Sequence, residues 1–198
     1  MRFDVPAPGL AVYLALAGIT LLAACLPLLL LRGKPLASRL RTAACAAALV
    51  LPFTAGLGWS VSHNTLELRD GQLVVRASYF YEYARDIAEF DLARARHGDR
   101  AALAPDGLGP RRNGISLPGY VAGRFGGRSG DRIDDGAGEG VGFDNRESLF
   151  VAVTDGEHLV YLPARHGQSL LVSVQEGEAL LQALYRAAPA GAAQMGMN

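Results

Sequence analysis

The chain has 198 residues, half of them hydrophobic, with 19 basic and 19 acidic side chains and no formal net charge. That balance hides a division: residues 1–61 carry five basic residues against Asp4 alone, and residues 62–198 carry 14 arginines against 18 acids. The mildly acidic part is unsuited to nucleic acid or to adsorption on anionic lipid, while the basic part consists mostly of uncharged runs without the polar face of a soluble core helix.

From Leu10 to Leu31 run 22 uncharged residues, "LAVYLALAGITLLAACLPLLLL", and Thr42 to Val61 gives 20 more, "TAACAAALVLPFTAGLGWSV". At ~1.5 Å per residue each reaches about 30 Å, the hydrocarbon thickness of a bilayer. Residues 10–61 are therefore predicted to form a transmembrane hairpin with spans 10–31 and 42–61, in which Pro27 and Pro52 are tolerated. The intervening segment holds Arg32, Lys34, Arg39 and Arg41 and no acid. The positive-inside rule places it in the cytoplasm and the domain after residue 62 outside, with Tyr13 and Trp59 at the opposite interface. Ala11/Ala15 and Ala43/Ala47 offer small-residue spacings for close helix approach. Cys25 and Cys45 both fall within the spans, so no disulfide framework is expected beyond them. "LAAC" (22–25) matches the pattern before a lipidated cysteine, but the apolar run continues past Cys25 and favours a retained helix.

Beyond the hairpin the period changes to two. "TLELRDGQLVV" reads as strand, Asp-Gly turn and strand, and Tyr79, Phe80, Tyr81 and Tyr83 continue a β-rich aromatic segment. "IAEFDLARAR" predicts a further strand. "SLFVAVT" (148–154), "HLVYLP" (158–163) and "SLLVSV" (169–174) read as a β meander. Ser173 followed by Glu176 forms a capping box, and Leu180, Leu181, Leu184 and Tyr185 recur at helical spacing, predicting a closing amphipathic helix. The expected tail is 188–198.

Arg111, Asn113-Gly114-Ile115, Leu117-Pro118-Gly119-Tyr120, Gly123, Val151 to Asp155, Val160-Tyr161-Leu162-Pro163 and the Ser173-capped helix give the domain expected at 62–187 a resemblance, over about 64–187 and strongest over 111–187, to the membrane-anchored bacterial pleckstrin-homology-like families. The resemblance implies a mainly-β fold of about seven antiparallel strands capped by a C-terminal α-helix. The Gly/Asp-rich loop 126–146 departs from it. Phosphoinositide binding, known of eukaryotic relatives, does not transfer, because no basic lipid-binding loop matches.

Within "RRNGISLPGY" (111–120), Asn113-Gly114 and Pro118-Gly119 supply turn chemistry, with Leu117 and Tyr120 covering the core. Arg111, Arg112, Asn113, Tyr120 and Arg124 form the candidate binding surface. The acids of loop 126–146 lack the spacing of a calcium loop, and His63, His97, His158 and His166 show no metal-ligand spacing. No nucleophile elbow or phosphate loop is present. Catalytic, metal and cofactor sites are thus not expected. The expectation is a non-enzymatic, two-span binding or scaffold module of the bacterial cytoplasmic membrane, with a membrane or envelope protein as partner. A ligand sensor or regulatory subunit is the alternative, and a metal-dependent hydrolase using the Asp-rich loop ranks last.

Overall fold

The computed structural model describes residues 1–105, 107–126 and 148–188. Residues 106, 127–147 and 189–198 lie outside the described residues, and with them nearly all of the expected Gly/Asp-rich loop 126–146 and of the expected tail 188–198.

The two apolar runs form helices α1 (Leu10–Leu30) and α2 (Leu36–Val61), both long and apolar enough to cross a membrane. α2 starts six residues before the apolar run. Its 26 residues extend about 39 Å, so its first turns, which carry Arg39 and Arg41, exceed a bilayer core. The Arg39 guanidinium donates to the Leu28 carbonyl, one of the orphan acceptors at the end of α1. On α1 the inward stripe is Val12, Leu16 and Thr20. On α2 it includes Ala43, Thr54, Gly58 and Val61. Of the expected small-residue pairs, Ala43 is buried and Ala47 partly buried, whereas Ala11 is exposed because the α1 stripe is rotated one residue onward. Gly58 faces α1, where a Cβ would stand in ordinary contact, 3.4 Å from Leu16 Cδ1. Thr20 and Thr54 join their hydroxyls at 2.8 Å.

The hairpin is bracketed by strands that pair with each other. β1 (Arg2–Phe3) precedes α1, β2 (Asn64–Arg69) follows α2, and they run antiparallel with Arg2 opposite Glu67 and Phe3 opposite Leu66. The Leu68 amide donates to Met1 O at 2.7 Å, and the Gln175 amide donates to Asp4 O at 3.0 Å. Both helix ends are therefore fixed in one β domain.

β3 (Gln72–Ala77) and β4 (Tyr81–Asp86) complete the first sheet, in the order β1-β2-β3-β4. The Asp70-Gly71 turn forms as expected, with φ of 51° and 77°, the double positive φ that a two-residue hairpin favours. The next segment departs from expectation. "IAEFDLARAR" makes two single 3₁₀ turns, Ile87–Glu89 and Leu92–Arg94, instead of a strand. Here the chain crosses between sheets, and a 3₁₀ turn carries residues i and i+3 on one side, which buries both Ile87 and Phe90.

The second sheet contains β5 (Arg96–Gly98), β6 (Arg111–Leu117), β7 (Tyr120–Phe125), β8 (Ser148–Val153), β9 (Leu159–Leu162) and β10 (Gln168–Ser173), in the order β5-β9-β10-β8-β7-β6. A short helix α3 (Arg100–Leu103) lies between β5 and β6, and α4 (Gly177–Ala187) closes the chain. The described residues thus form ten strands, not about seven, and β10 pairs parallel with β8. The expected meander fails because β10 inserts between β8 and β9. Both faces of this sheet are covered. Tyr120, Phe150, Leu162, Leu170 and Val172 meet Leu66, Leu73, Val75 and Tyr83 of the first sheet, while Val121, Val151, Val153, Leu159 and Leu171 pack on the other side with Leu103 and Leu108.

The crossover from β8 to β9 passes over the end of β10, where Ser173 holds it. Its fully buried Oγ accepts from the amides of Thr154 (3.0 Å) and Asp155 (3.2 Å) and donates to Asp155 O (2.9 Å). The capping box is therefore not formed. Ser173 is a strand residue, and α4 begins after Glu176 without a side-chain cap. The amphipathic helix itself is as expected: Leu180 and Leu184 are fully buried in the core shared by both sheets, each burial stabilising by about 1.5–3 kcal/mol.

Candidate functional site

Among the described residues, β6 is the edge strand of the second sheet, paired on one side with β7. Arg111, Arg112 and Asn113 are exposed at its start, and Arg124 is exposed on neighbouring β7. A register shift between Arg111 and Asn113 makes Arg112 the extra residue of a bulge. Arg111, Arg112 and Arg124 form no ion pair with any described residue. Tyr120 covers the core, as one of its two expected roles had it, and for that reason is lost from the expected binding surface: it is fully buried in the cluster shared with the first sheet.

The three glycines of this motif have backbone reasons. Gly119 takes φ of 80° in the Pro118-Gly119 turn, as a type II turn requires at that position. Gly114 and Gly123 oppose each other across β6 and β7. A Cβ on Gly123 would fall 2.3 Å from Asn113 O, and one on Gly114 would fall 2.4 Å from Ala122 O. Asn113-Gly114 is thus no turn but a place where two backbones nearly touch within a hairpin. The positive φ lies instead at Gly123, at 132°.

A second cluster sits where the helices meet the domain. Asn64, the first residue of β2, donates through Nδ2 to Val61 O at the end of α2 (2.7 Å). Its Oδ1 accepts from Tyr120 Oη (3.1 Å) and from the Ser78 amide (3.2 Å). One side chain therefore ties the hairpin to both sheets. Burial pushes the Tyr120 phenol up to about 12.

Beside this node the β3–β4 loop holds Ser78 and Tyr79 at φ of 47° and 42°, a conformation that L-residues rarely adopt. It presents Tyr79 and Phe80 outward. The Tyr79 ring stacks on Trp59 at 5.0 Å between centroids, and His63 lies 4.5 Å from Trp59 and 5.1 Å from Tyr79. His63 Nδ1 donates to Trp59 O at 2.8 Å, which fixes the ring against the last turn of α2. Next to the cluster, the outer face of β2–β4 carries a cleft of about 440 Å³ lined by His63, Thr65, Glu67, Arg76, Tyr79 and Glu82. Arg76 and Glu82 face each other at 3.4 Å and are both more than half exposed. The four-residue step from Trp59 to His63 at a helix end, followed by an aromatic hairpin tip, is the sequence signal for this site.

The histidines offer one further cluster. His158 Nδ1 lies 2.6 Å from Asp155 Oδ2, with Glu157 beside them, and the three side chains could reach one metal ion. Asp155 Oδ1 already accepts from the Glu157 amide at 2.8 Å, however, so the carboxylate closes the turn between β8 and β9. Partial burial opposes its charge, but hydrogen bonds from His158 and the Glu157 and Gly156 amides prevail and hold its pKa below the ordinary aspartate value. His166 is exposed, and its carbonyl accepts from Arg85 at 2.7 Å.

Comparison with protein-family models, with curated proteins and with solved structures gives no match to this chain.

Proposed function

We propose that the chain is an integral protein of the bacterial cytoplasmic membrane, a non-enzymatic binding module whose hairpin holds a PH-like β domain at the extracytoplasmic surface. The observation that carries the anchored reading is the pairing of β1 with β2, which makes the two ends of the hairpin neighbouring strands of one sheet. An even number of spans is the arrangement that leaves both strands on one side. Four basic residues between the spans favour a cytoplasmic loop. The sandwich closed by α4 supports the PH-like reading, while the parallel β8–β10 pair stands apart from it.

The recognition element is the β6 edge, whose outer side pairs with no described strand and carries three cations beside it, as an extended segment of a membrane or envelope protein would need. The bulge at Arg112 and the charges around it limit indiscriminate edge pairing. The test is a photo-crosslinking residue at exposed Ser116 in native membranes, with the same residue at exposed Asp70 as control. A discrete protein adduct from Ser116 alone, lost when Arg111, Arg112 and Arg124 are all changed to Gln, supports the reading. Equal capture at both positions refutes it. A sensor role is favoured by one observation, the Asn64 node, because anything that shifts the β3–β4 loop also moves the end of α2.

A further inference from the structure

We infer that the junction binds one phospholipid with an amine-bearing headgroup, its headgroup in the cleft over β2–β4 and its acyl chain in the groove between the helices. The inference rests on the membrane-anchored reading above. The groove, of about 460 Å³, runs between α1 and α2 at their domain end, with Tyr13, Thr20, Thr54, Gly58, Trp59 and Ser62 along it. It spans positions 13 to 20 of α1, about 10 Å of helix, and so accommodates the upper part of a chain.

The polar cleft continues from that groove. Trp59 lines the groove and stacks on Tyr79, which lines the cleft; Ser62 lines the groove and its Oγ lies 3.2 Å from His63 Nδ1, and His63 lines the cleft. A shallow apolar groove and a charged cleft that meet at an aromatic belt have the polarity profile of one lipid molecule at an interface.

The charges select among headgroups. Arg76 can take a phosphate, and Glu67 and Glu82 can take an ammonium, with the exposed Tyr79 ring available for a cation–π contact. The Arg76–Glu82 pair is solvent-open and easily opened in exchange. Within the cleft's own lining, two carboxylates against one arginine disfavour a headgroup that is anionic and has no amine. Arg2, opposite Glu67 in the β1–β2 ladder, is on the same face of the sheet but is not among the residues that line the cleft; it lines the neighbouring pocket beside α4.

Trp59 is the sole tryptophan of the chain and so reports on this junction without labelling. The full chain is reconstituted in vesicles of equal parts phosphatidylethanolamine and phosphatidylglycerol, with brominated acyl chains placed on one lipid or on the other. Stronger quenching of Trp59 when the bromines are on phosphatidylethanolamine is expected, and that preference should be lost in Glu67→Gln/Glu82→Gln and weakened in Arg76→Gln. Equal quenching by both lipids, or stronger quenching by phosphatidylglycerol, overturns the headgroup site while leaving the membrane reading standing. A preference that survives in both variants overturns the assignment to this cleft. No quenching by either lipid overturns the membrane reading, and the lipid site with it.

Discussion

Replacing Ser173 with alanine separates two accounts of the same residue. As a helix N-cap its loss would cost about 1 kcal/mol. In the structure its hydroxyl serves three backbone groups of the β8–β9 crossover, and Thr154, which supplies one of them, is itself 2 % exposed. Stranding a buried donor or acceptor costs about 1–3 kcal/mol, and the Asp155 groups, nearer the surface, recover part of their loss from water. The expected destabilisation is about 2–4 kcal/mol. Glu176→Ala is the control, because Glu176 makes no side-chain cap bond; its effect should stay within about 0.5 kcal/mol. Guanidinium unfolding of the full chain in detergent, followed by Trp59 fluorescence and by the β signal in circular dichroism, measures both. Equal small losses in the two variants would restore the capping box and refute the crossover anchor.

Gly123→Ala should destabilise the domain by several kcal/mol, about 1–3 of it from strain at φ of 132° and the rest from pushing β6 off β7; unfolding at the wild-type midpoint would contradict the close approach. Tyr120→Phe should cost about 1 kcal/mol, and Asn64→Ala clearly more, because Asn64 also serves Val61 and Ser78. Similar losses would mean that the node is not shared. The Asp155 pKa is depressed in the fold, so its carboxylate adds stability above the unfolded-state value, and that contribution disappears as pH falls through the folded value. Asp155→Asn should therefore lose stability near neutral pH and flatten this acid limb in a pH series of unfolding midpoints; an unchanged limb would assign the acid sensitivity elsewhere.

The hairpin, the Asp-Gly and Pro-Gly turns and the leucine face of α4 are local properties, and local pattern revealed them. Nonlocal choices were hidden. Two residues, Arg2 and Phe3, are too few to show a period, so β1 left no signal. The continuous apolar runs of β8 and β10 did carry a sign of two-sided burial, which is characteristic of parallel pairing, but three short runs with glycines between them resemble a meander equally well. Ser173 and Glu176 satisfy a capping spacing by coincidence, because the strand simply continues through Ser173. Of the candidate surface, Arg111, Arg112, Asn113 and Arg124 emerged exposed together, whereas Tyr120 turned inward in the alternation set by Gly119. The aromatic junction depends on a hairpin tip reaching back to a helix end, across 20 residues from Trp59 to Tyr79, and no sequence period records that contact.

The pairing of β1 with β2 carries the claim that hairpin and domain are one anchored unit. Arg2→Cys with Glu67→Cys, in a chain whose Cys25 and Cys45 are serine, tests it in native membranes. Opposed residues of antiparallel strands place their Cα atoms about 4.5–5.5 Å apart, within disulfide range. The account predicts an intramolecular disulfide on mild oxidation and, in the reduced protein, reaction of both thiols with an impermeant maleimide from the same side of the membrane. A pair that never bonds, with the two thiols reached from opposite sides, would contradict it.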